Sequence, residues 1–193
     1  MSSPARVRAS FEEMVVLRDR GLAVELVDGE IVHKAMPKPE HGGAQAALLG
    51  LLFPYHRRTG GPRGPGGWWL MAEVEVLYDR SSDVYRHDAL GFRRDRIPSR
   101  PTSFPITERP DWVCEILSPA TARYDVVRKQ RTLHAHAVPH YWIVDPEHET
   151  LAVLRHGPDG YVNVLNAGVG DVVRAEPFDG IEIDVGELFG HDA

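Results

Sequence analysis

The sequence predicts a mixed α/β fold: a central β-sheet flanked by helices, with a β-meander at the C-terminal end. Three observations carry it. Residues 111–117, DWVCEIL, form a mostly apolar run that reads as a buried strand and leads past Ser118-Pro119 into a helix-patterned segment at about 123–136. Ahead of it, residues 68–78 and 84–93 flank a turn at 79–83 and read as an antiparallel pair. Behind it, HYWIVDP, LAVLRH, YVNVL, DVVRA and IEIDV are short apolar segments separated by Gly and Asp turns, closing with a short turn at 185–189. A strand pair followed by strand, helix and strands suits one mixed sheet with helices packed on it.

The elements follow in order. Residues 1–9 carry no pattern and are expected to be disordered. Residues 11–20 read as a short helix with Ser10 as N-cap, Glu13 as its capping-box partner and Gly21 as the stop. AVELV and EIVHK surround Asp28-Gly29, a strong signal for a two-residue hairpin turn. Glu25 lies in the first of these strands, where a solvent-facing position is the ordinary reading. MPKPEH is a loop, and residues 41–56 place Ala44, Ala47, Leu48, Leu51 and Leu52 on a helical stripe suited to a sheet. His41, at the start of that helix, is either a helix-end polar residue or a ring in reach of a ligand. RRTGGPRGPGG is a Gly- and Pro-rich loop whose Arg57, Arg58 and Arg63 can touch phosphate or simply face water.

Alternation in residues 68–78 puts Leu70, Ala72, Val74 and Val76 on one face and Glu73 and Glu75 on the other. In residues 84–93 it puts Asp88 with Arg86, Leu90 and Phe92. Residues 93–110, with four prolines, read as an exposed loop. In the following strand Glu115 shares a face with Val113 and Leu117, and Trp112, Cys114 and Ile116 share the other. Neither face looks solvated, so the Glu115 carboxylate needs a cation, a donor or a proton. Thr121 is placed to cap the next helix, which carries Lys129.

Length and composition narrow the class. A chain of 193 residues with 42% hydrophobic and 26% charged residues suits a single globular domain, expected to span 1–193. No apolar run approaches the ~20 residues of a membrane helix, and no signal-peptide core opens the chain. Cys114 is the single cysteine, which excludes an intrachain disulfide and a cysteine-based zinc site and leads us to expect a cytoplasmic protein. The net charge of −6 argues against indiscriminate coating of nucleic acid but not against a local basic surface. Lys34, Lys38 and Lys129 are the only lysines beside 19 arginines among the 22 basic residues, so a lysine on the helix after the acid strand is informative.

Asp88, Glu115 and Lys129 lie on three consecutive elements. If the two strands neighbour each other, both carboxylates approach one point, and such hard oxygen donors suit Mg²⁺ or Mn²⁺. The lysine then supplies charge, or a base, beside an attacking water. Taken singly, each residue also has an ordinary reading: Asp88 paired with an arginine, Glu115 a buried structural acid, Lys129 an i,i+4 partner of Asp125.

VELVDGEIV, PEH before a helix, AEVEVLYD, the Asp88 strand, DWVCEILSPAT, YDVVRK and VPHYWIVDPE occur in the order of the Uma-two family of predicted endonucleases, which the chain resembles from about Val24 to Glu147. More broadly, the strand pair ending in Asp88, then Glu115 and the helix lysine, resembles the PD-(D/E)XK nuclease superfamily. Two positions depart from that pattern: His87 stands where proline precedes the first acid, and Leu117 where a lysine follows Glu115. Lys129, on the following helix, takes the lysine's place.

The resemblance implies a restriction-endonuclease-like core and an endonuclease that hydrolyses phosphodiester bonds of nucleic acid, DNA ranking ahead of RNA, and that acts as a homodimer. It implies that Asp88, Glu115 and the main-chain carbonyl of Ile116 bind Mg²⁺ or Mn²⁺, with Lys129 serving the attacking water. Glu25 and Glu73 match acidic positions of the family, and His41 is a further candidate at the phosphate or leaving group. Ser118 and Thr121 are read as turn and capping residues, and Tyr124, Tyr141 and Trp142 as packing. Two other classes compete: a catalytically silent nucleic-acid-binding or interaction module on the same fold, and a structural salt-bridge network. A histidine-driven or serine hydrolase ranks lower, since no H-E-x-x-H or G-x-S-x-G occurs.

Overall fold

The computed structural model describes residues 8–34, 36–58, 64–79, 83–118 and 122–191, the side chains of 122–125 excepted. The chain opens with helix α1 (Phe11–Asp19). Ser10 accepts the Glu13 N–H, Glu13 bonds back to the Ser10 N–H, and Gly21 follows at φ 85°, so both ends are closed as expected. Strands β1 (Val24–Val27) and β2 (Glu30–His33) pair around Asp28 and Gly29, at φ 51° and 73°, the two positive values of a type I′ turn. Ala9 donates its N–H to the Gly29 carbonyl, so the chain just ahead of Ser10 lies against this hairpin.

Helix α2 (Pro39–Leu52) begins two residues earlier than the apolar stripe indicates, with proline in its first turn, where the missing N–H costs nothing. It also ends earlier: Phe53–Tyr55 is a separate 3₁₀ turn. Strands β3 (Trp68–Asp79) and β4 (Asp83–Arg93) form the long antiparallel pair, and β5 (Trp112–Ile116) is the acid strand. Helix α3 (Ala122–Ala135) crosses to β6 (His140–Asp145), which runs parallel to β5. Arg63, Thr121, residues 80–82 of the β3–β4 turn, and the side chains of Tyr124 and Asp125 lie outside the described residues.

Strands β7 (Thr150–Gly157) and β8 (Gly160–Gly168) continue antiparallel from β6. Among the described residues the sheet has eight strands in the order β2-β1-β4-β5-β6-β7-β8, with β3 also paired to β4. The expected meander therefore stops at β8. The last two segments, β9 (Val172–Val173) and β10 (Ile183–Asp184), leave the sheet and, among the described residues, pair only with each other.

The two faces of the sheet bury different clusters. Under α2, Ala44, Leu48 and Leu52 pack on Trp112, Trp142 and Phe178, and Phe178 meets both indoles edge-on at 5.0 and 5.6 Å. Under α3, Leu133 packs with Leu90, Phe92, Val113 and Tyr141. Tyr141 and Trp142 are fully buried, as packing residues should be. A third cluster joins Met14 of α1 to Val24, Leu26 and Val84.

Three expectations are corrected here. Side-chain alternation does not run unbroken along β3: Leu70 packs under α2, whereas Val74 and Val76 pack under α3. The inversion falls at Glu73, whose φ of 53° is left-handed and moves the following side chains to the other face. On β4, Leu90 and Phe92 pack under α3 while Asp88 turns toward α2, so the three do not share a face. The 93–110 loop is also not wholly exposed, because Ile106 is buried and exchanges backbone bonds with Glu75 and Leu77, covering part of the β3 edge.

Candidate active site

The site follows from a split in the sheet. One edge of β4 pairs with β5 over Ala89–Cys114, Leu90–Val113 and Gly91–Trp112, and with β1 only at Val84–Leu26. Between these pairings no strand among the described residues completes the β4 ladder, and buried main-chain polar groups must find other partners. Side-chain carboxylates take their place. Glu25 Oε1 accepts the Arg86 N–H at 2.7 Å, and Asp88 Oδ2 accepts the Ile116 N–H at 2.8 Å.

One step beyond the Ala89–Cys114 pair, Asp88 and Glu115 stand side by side on adjacent strands, 2% and 7% exposed. The condition set by the sequence is met: the two acid strands are neighbours. Lys129 reaches down from α3 with Nζ 3.2 Å from Glu115 Oε2 and 3.1 Å from Glu25 Oε1. Its side chain is 6% exposed, so the three groups form a buried acid–lysine–acid bridge. Glu25 is buried at 5%, contrary to a solvent-facing strand position, because β1 lines the split rather than the outer surface.

His41, in the first turn of α2, is also buried and holds Nε2 3.2 Å from Asp88 Oδ2. Its Nδ1 is buried without a hydrogen-bond partner among the described residues. Gln45, one turn later, donates to the Asp88 carbonyl at 2.7 Å and to Glu73 at 3.1 Å. Glu73 itself takes Arg86 at 2.7 Å and lies 3.6 Å from Lys34. All these groups border one cleft of about 340 Å³, lined also by Ile116 and Ser118.

Two residues with central positions were missed by sequence reasoning. Lys34 Nζ bonds Asp88 Oδ1 at 2.7 Å and the Arg86 carbonyl at 2.8 Å. His87, fully buried behind the cleft, places Nδ1 2.5 Å from Glu115 Oε1 and Nε2 2.8 Å from the Tyr78 hydroxyl. The scarcity of lysine was a usable signal for Lys34. His87 stood beside Asp88 in plain view, but only the pairing of β4 with β5 reveals that it braces the second acid.

The electrostatics keep the cluster ionised. Burial alone would raise the Asp88 pKa, but the hydrogen bond from His41, the Lys34 charge and the Ile116 N–H outweigh it and hold the carboxyl below its usual range. Burial opposes Glu115 in the same way, and Lys129 and His87 outweigh both burial and the neighbouring Asp88, so its pKa is also lowered. For Lys129 burial favours the neutral amine, yet Glu115 and Glu25 pull the pKa above that of an ordinary lysine. The same contest, won by Asp88 and Glu115, raises Lys34. His41 is raised chiefly by its hydrogen bond to Asp88.

Among the described residues, no three His, Cys, Asp or Glu side chains converge to cage a metal. The cleft offers instead two carboxylates on paired strands. That donor set fits Mg²⁺ or Mn²⁺, which are commonly bound through one or two carboxylates with water and phosphate completing the shell. No helix among the described residues is long and apolar enough to cross a membrane.

A family model described as "Uma2: Putative restriction endonuclease" matches residues 9–186. Among solved structures, the chain is similar to a crystal structure titled as a putative nuclease belonging to DUF820 from Anabaena variabilis ATCC 29413. That likeness has 20% sequence identity and a TM-score of 0.68, covering 93% of this chain and 97% of that one. At this identity it establishes the fold, which is restriction-endonuclease-like. No curated protein matches the chain.

Proposed function

The chain belongs to the Uma2 family of restriction-endonuclease-like nucleases, and from that membership and the cleft we propose a metal-dependent endonuclease that hydrolyses phosphodiester bonds of DNA. The observation that carries the reading is the meeting of Asp88 and Glu115 on paired strands, with Lys129 bonded to the second acid. Asp88, Glu115 and the Ile116 carbonyl are the groups that would hold Mg²⁺ or Mn²⁺. A cation held there would supply an acidified water and positive charge beside the scissile phosphate.

The chain's own residues supply the rest. Lys129 donates to Glu115 and Glu25, whose charges raise its pKa, so it serves as a fixed cation and N–H donor at the cleft beside the attacking water. Lys34 and His41 fix the Asp88 carboxylate, which makes His41 a positioning group for the acid. Glu73, tied by Arg86 and Gln45, borders the cleft as a further acid. Two copies pairing through β8, the strand that ends the sheet, would give a homodimer able to cut both strands.

One observation favours a second reading, a silent binding module on the same fold. Each carboxylate oxygen of Asp88 and Glu115 already accepts a bond from a protein cation, imidazole or main-chain N–H. Nicking of supercoiled plasmid with Mn²⁺, by wild type beside an identically prepared Glu115→Gln variant, separates the two. Cleavage by the wild type alone is expected. Binding without cleavage by either selects the silent module.

A further inference from the structure

A second surface, at the other end of α2, carries an array of cations and rings. The Arg57 guanidinium lies over Phe53 at 5.3 Å, Phe53 stacks on His56 at 5.9 Å, His56 meets Trp69 edge-on at 6.3 Å, and Arg94 covers Trp69 at 3.5 Å. Arg58 and Arg100 flank this array and both are exposed. Their charges are felt in it: burial and Arg58 together draw down the Arg94 pKa, and burial with Arg94 and Arg100 lowers that of His56. His56 Nδ1 accepts the Leu70 N–H at 2.9 Å, which puts the proton of the neutral ring on Nε2.

What sets this surface apart is the gathering of several cations without counter-charge. Elsewhere acids answer Arg93 (Asp95), Arg96 and Arg109 (Asp111), Arg155 (Glu176) and Arg174 (Glu182), while Arg20 after α1 and Arg131 on α3, with no carboxylate within 4.0 Å among the described residues, lie on separate elements. Among the described residues, Arg57, Arg58, Arg94 and Arg100 have no carboxylate within 4.0 Å, in a chain whose net charge is −6. Gathering four such cations is unfavourable by itself, and an anion is what relieves it. Rigid guanidinium groups held on aromatic faces suit phosphate oxygens, which they bond in pairs.

We propose that the surface formed by Arg57, Arg58, Arg94 and Arg100 around Phe53 and Trp69 binds the phosphate backbone of the nucleic acid whose scissile bond lies in the acid cleft. This rests on the nuclease reading for the cleft, but the surface is tested without turnover. His41 at the cleft and Phe53 at the array lie at opposite ends of one helix, roughly 18 Å apart at 1.5 Å of rise per residue. That spans about five nucleotides at 3.4 Å per step along one strand. One acidic end would cut and one basic end would hold the strand a few nucleotides away.

The test is equilibrium binding of fluorescent duplex DNA, single-stranded DNA and RNA in EDTA across a salt series. Wild type is compared with Arg58→Glu/Arg100→Glu and with Arg20→Glu/Arg131→Glu, a control of equal charge change placed on exposed residues elsewhere. Neither pair belongs to the cleft, and matching thermal midpoints verify the fold. The patch variant is expected to bind at least about tenfold more weakly than the control. Its slope of log K against log salt should be shallower by about 0.9 for each phosphate that the patch no longer neutralises. The nucleic acid most affected identifies the substrate class. Equal binding by patch and control variants overturns the proposal, as does a wild type that binds none of the three. Tight, patch-dependent binding without cleavage in Mn²⁺ removes the nuclease reading and leaves the surface standing.

Discussion

His87 braces Glu115 from the side opposite Lys129, with Tyr78 behind it. Replacing it with phenylalanine leaves Glu115 Oε1 buried without that donor. We predict a loss of about 1–3 kcal/mol in urea unfolding for His87→Phe, and a smaller loss for His87→Asn, which keeps an N–H. Equal stability in both variants would mean that the bond does not support the acid. The pH dependence follows from the shifted groups, measured in EDTA. Asp88 and Glu115 have folded pKa values below the ordinary 3.8 and 4.5, so their contribution is complete above those values and is lost as pH falls through the lowered ones. His41 has a raised value, so its contribution is complete below 6.5 and is lost as pH rises through the raised one. Unfolding free energies between about pH 3 and 8 should show a flattened acid limb in Asp88→Asn and a flattened neutral limb in His41→Gln. Unchanged limbs would refute the assignment. Asp88, Glu115 and Lys129 were legible because ordered motifs place them on consecutive elements. The partners of Lys34, His87 and Gln45 lie 28 to 54 residues away across the split, so their roles were not legible, although the scarcity of lysine did mark Lys34 out.

Elements whose ends are closed by local chemistry were legible in full. Ser10 with Glu13 marks α1, and Asp28-Gly29 marks the hairpin. Other features are set by tertiary contacts. The inversion of β3 occurs at Glu73, an ordinary residue in a left-handed conformation, so no Gly or Pro announces it. The end of α3 shows the same kind of departure. Ala137 sits at φ 53° just past the helix and donates its N–H to the His134 carbonyl, while the Val138 N–H reaches the Leu133 carbonyl, an arrangement that normally selects glycine. Ala137→Gly relieves a left-handed alanine at some cost in unfolded-chain entropy. A gain of about 0.5–1 kcal/mol is predicted in thermal or urea unfolding. A loss would show that the alanine side chain is held by contacts stronger than the strain.

At the scale of the molecule, the sheet closes on both faces but leaves a gap beside the middle of β4. Hydrophobic clusters pack the two faces of the sheet around it. Phe178, from the segment after β9, fills the space between Trp112, Trp142 and Tyr55, and Phe178→Ala should cost about 3–5 kcal/mol by denaturant unfolding without altering the cleft residues. A change near zero would mean that the C-terminal segment does not brace the α2 side. The mixed α/β class was legible from the order of runs. The gap was not, because it depends on β1 and β5 sharing one edge of β4, which brings segments as distant in sequence as Leu26 and Trp112 onto one strand, and no local pattern encodes that.

A gap of this kind, lined by Asp88 and Glu115, is suited above all to holding a hard cation between the two acids. Crystals soaked in Mn²⁺ and measured at the manganese absorption edge address it directly. One anomalous peak is expected within ligand distance of a carboxylate oxygen of each residue, absent from Asp88→Asn crystals treated alike. A peak elsewhere, or none in the cleft at saturating Mn²⁺, would contradict the assignment.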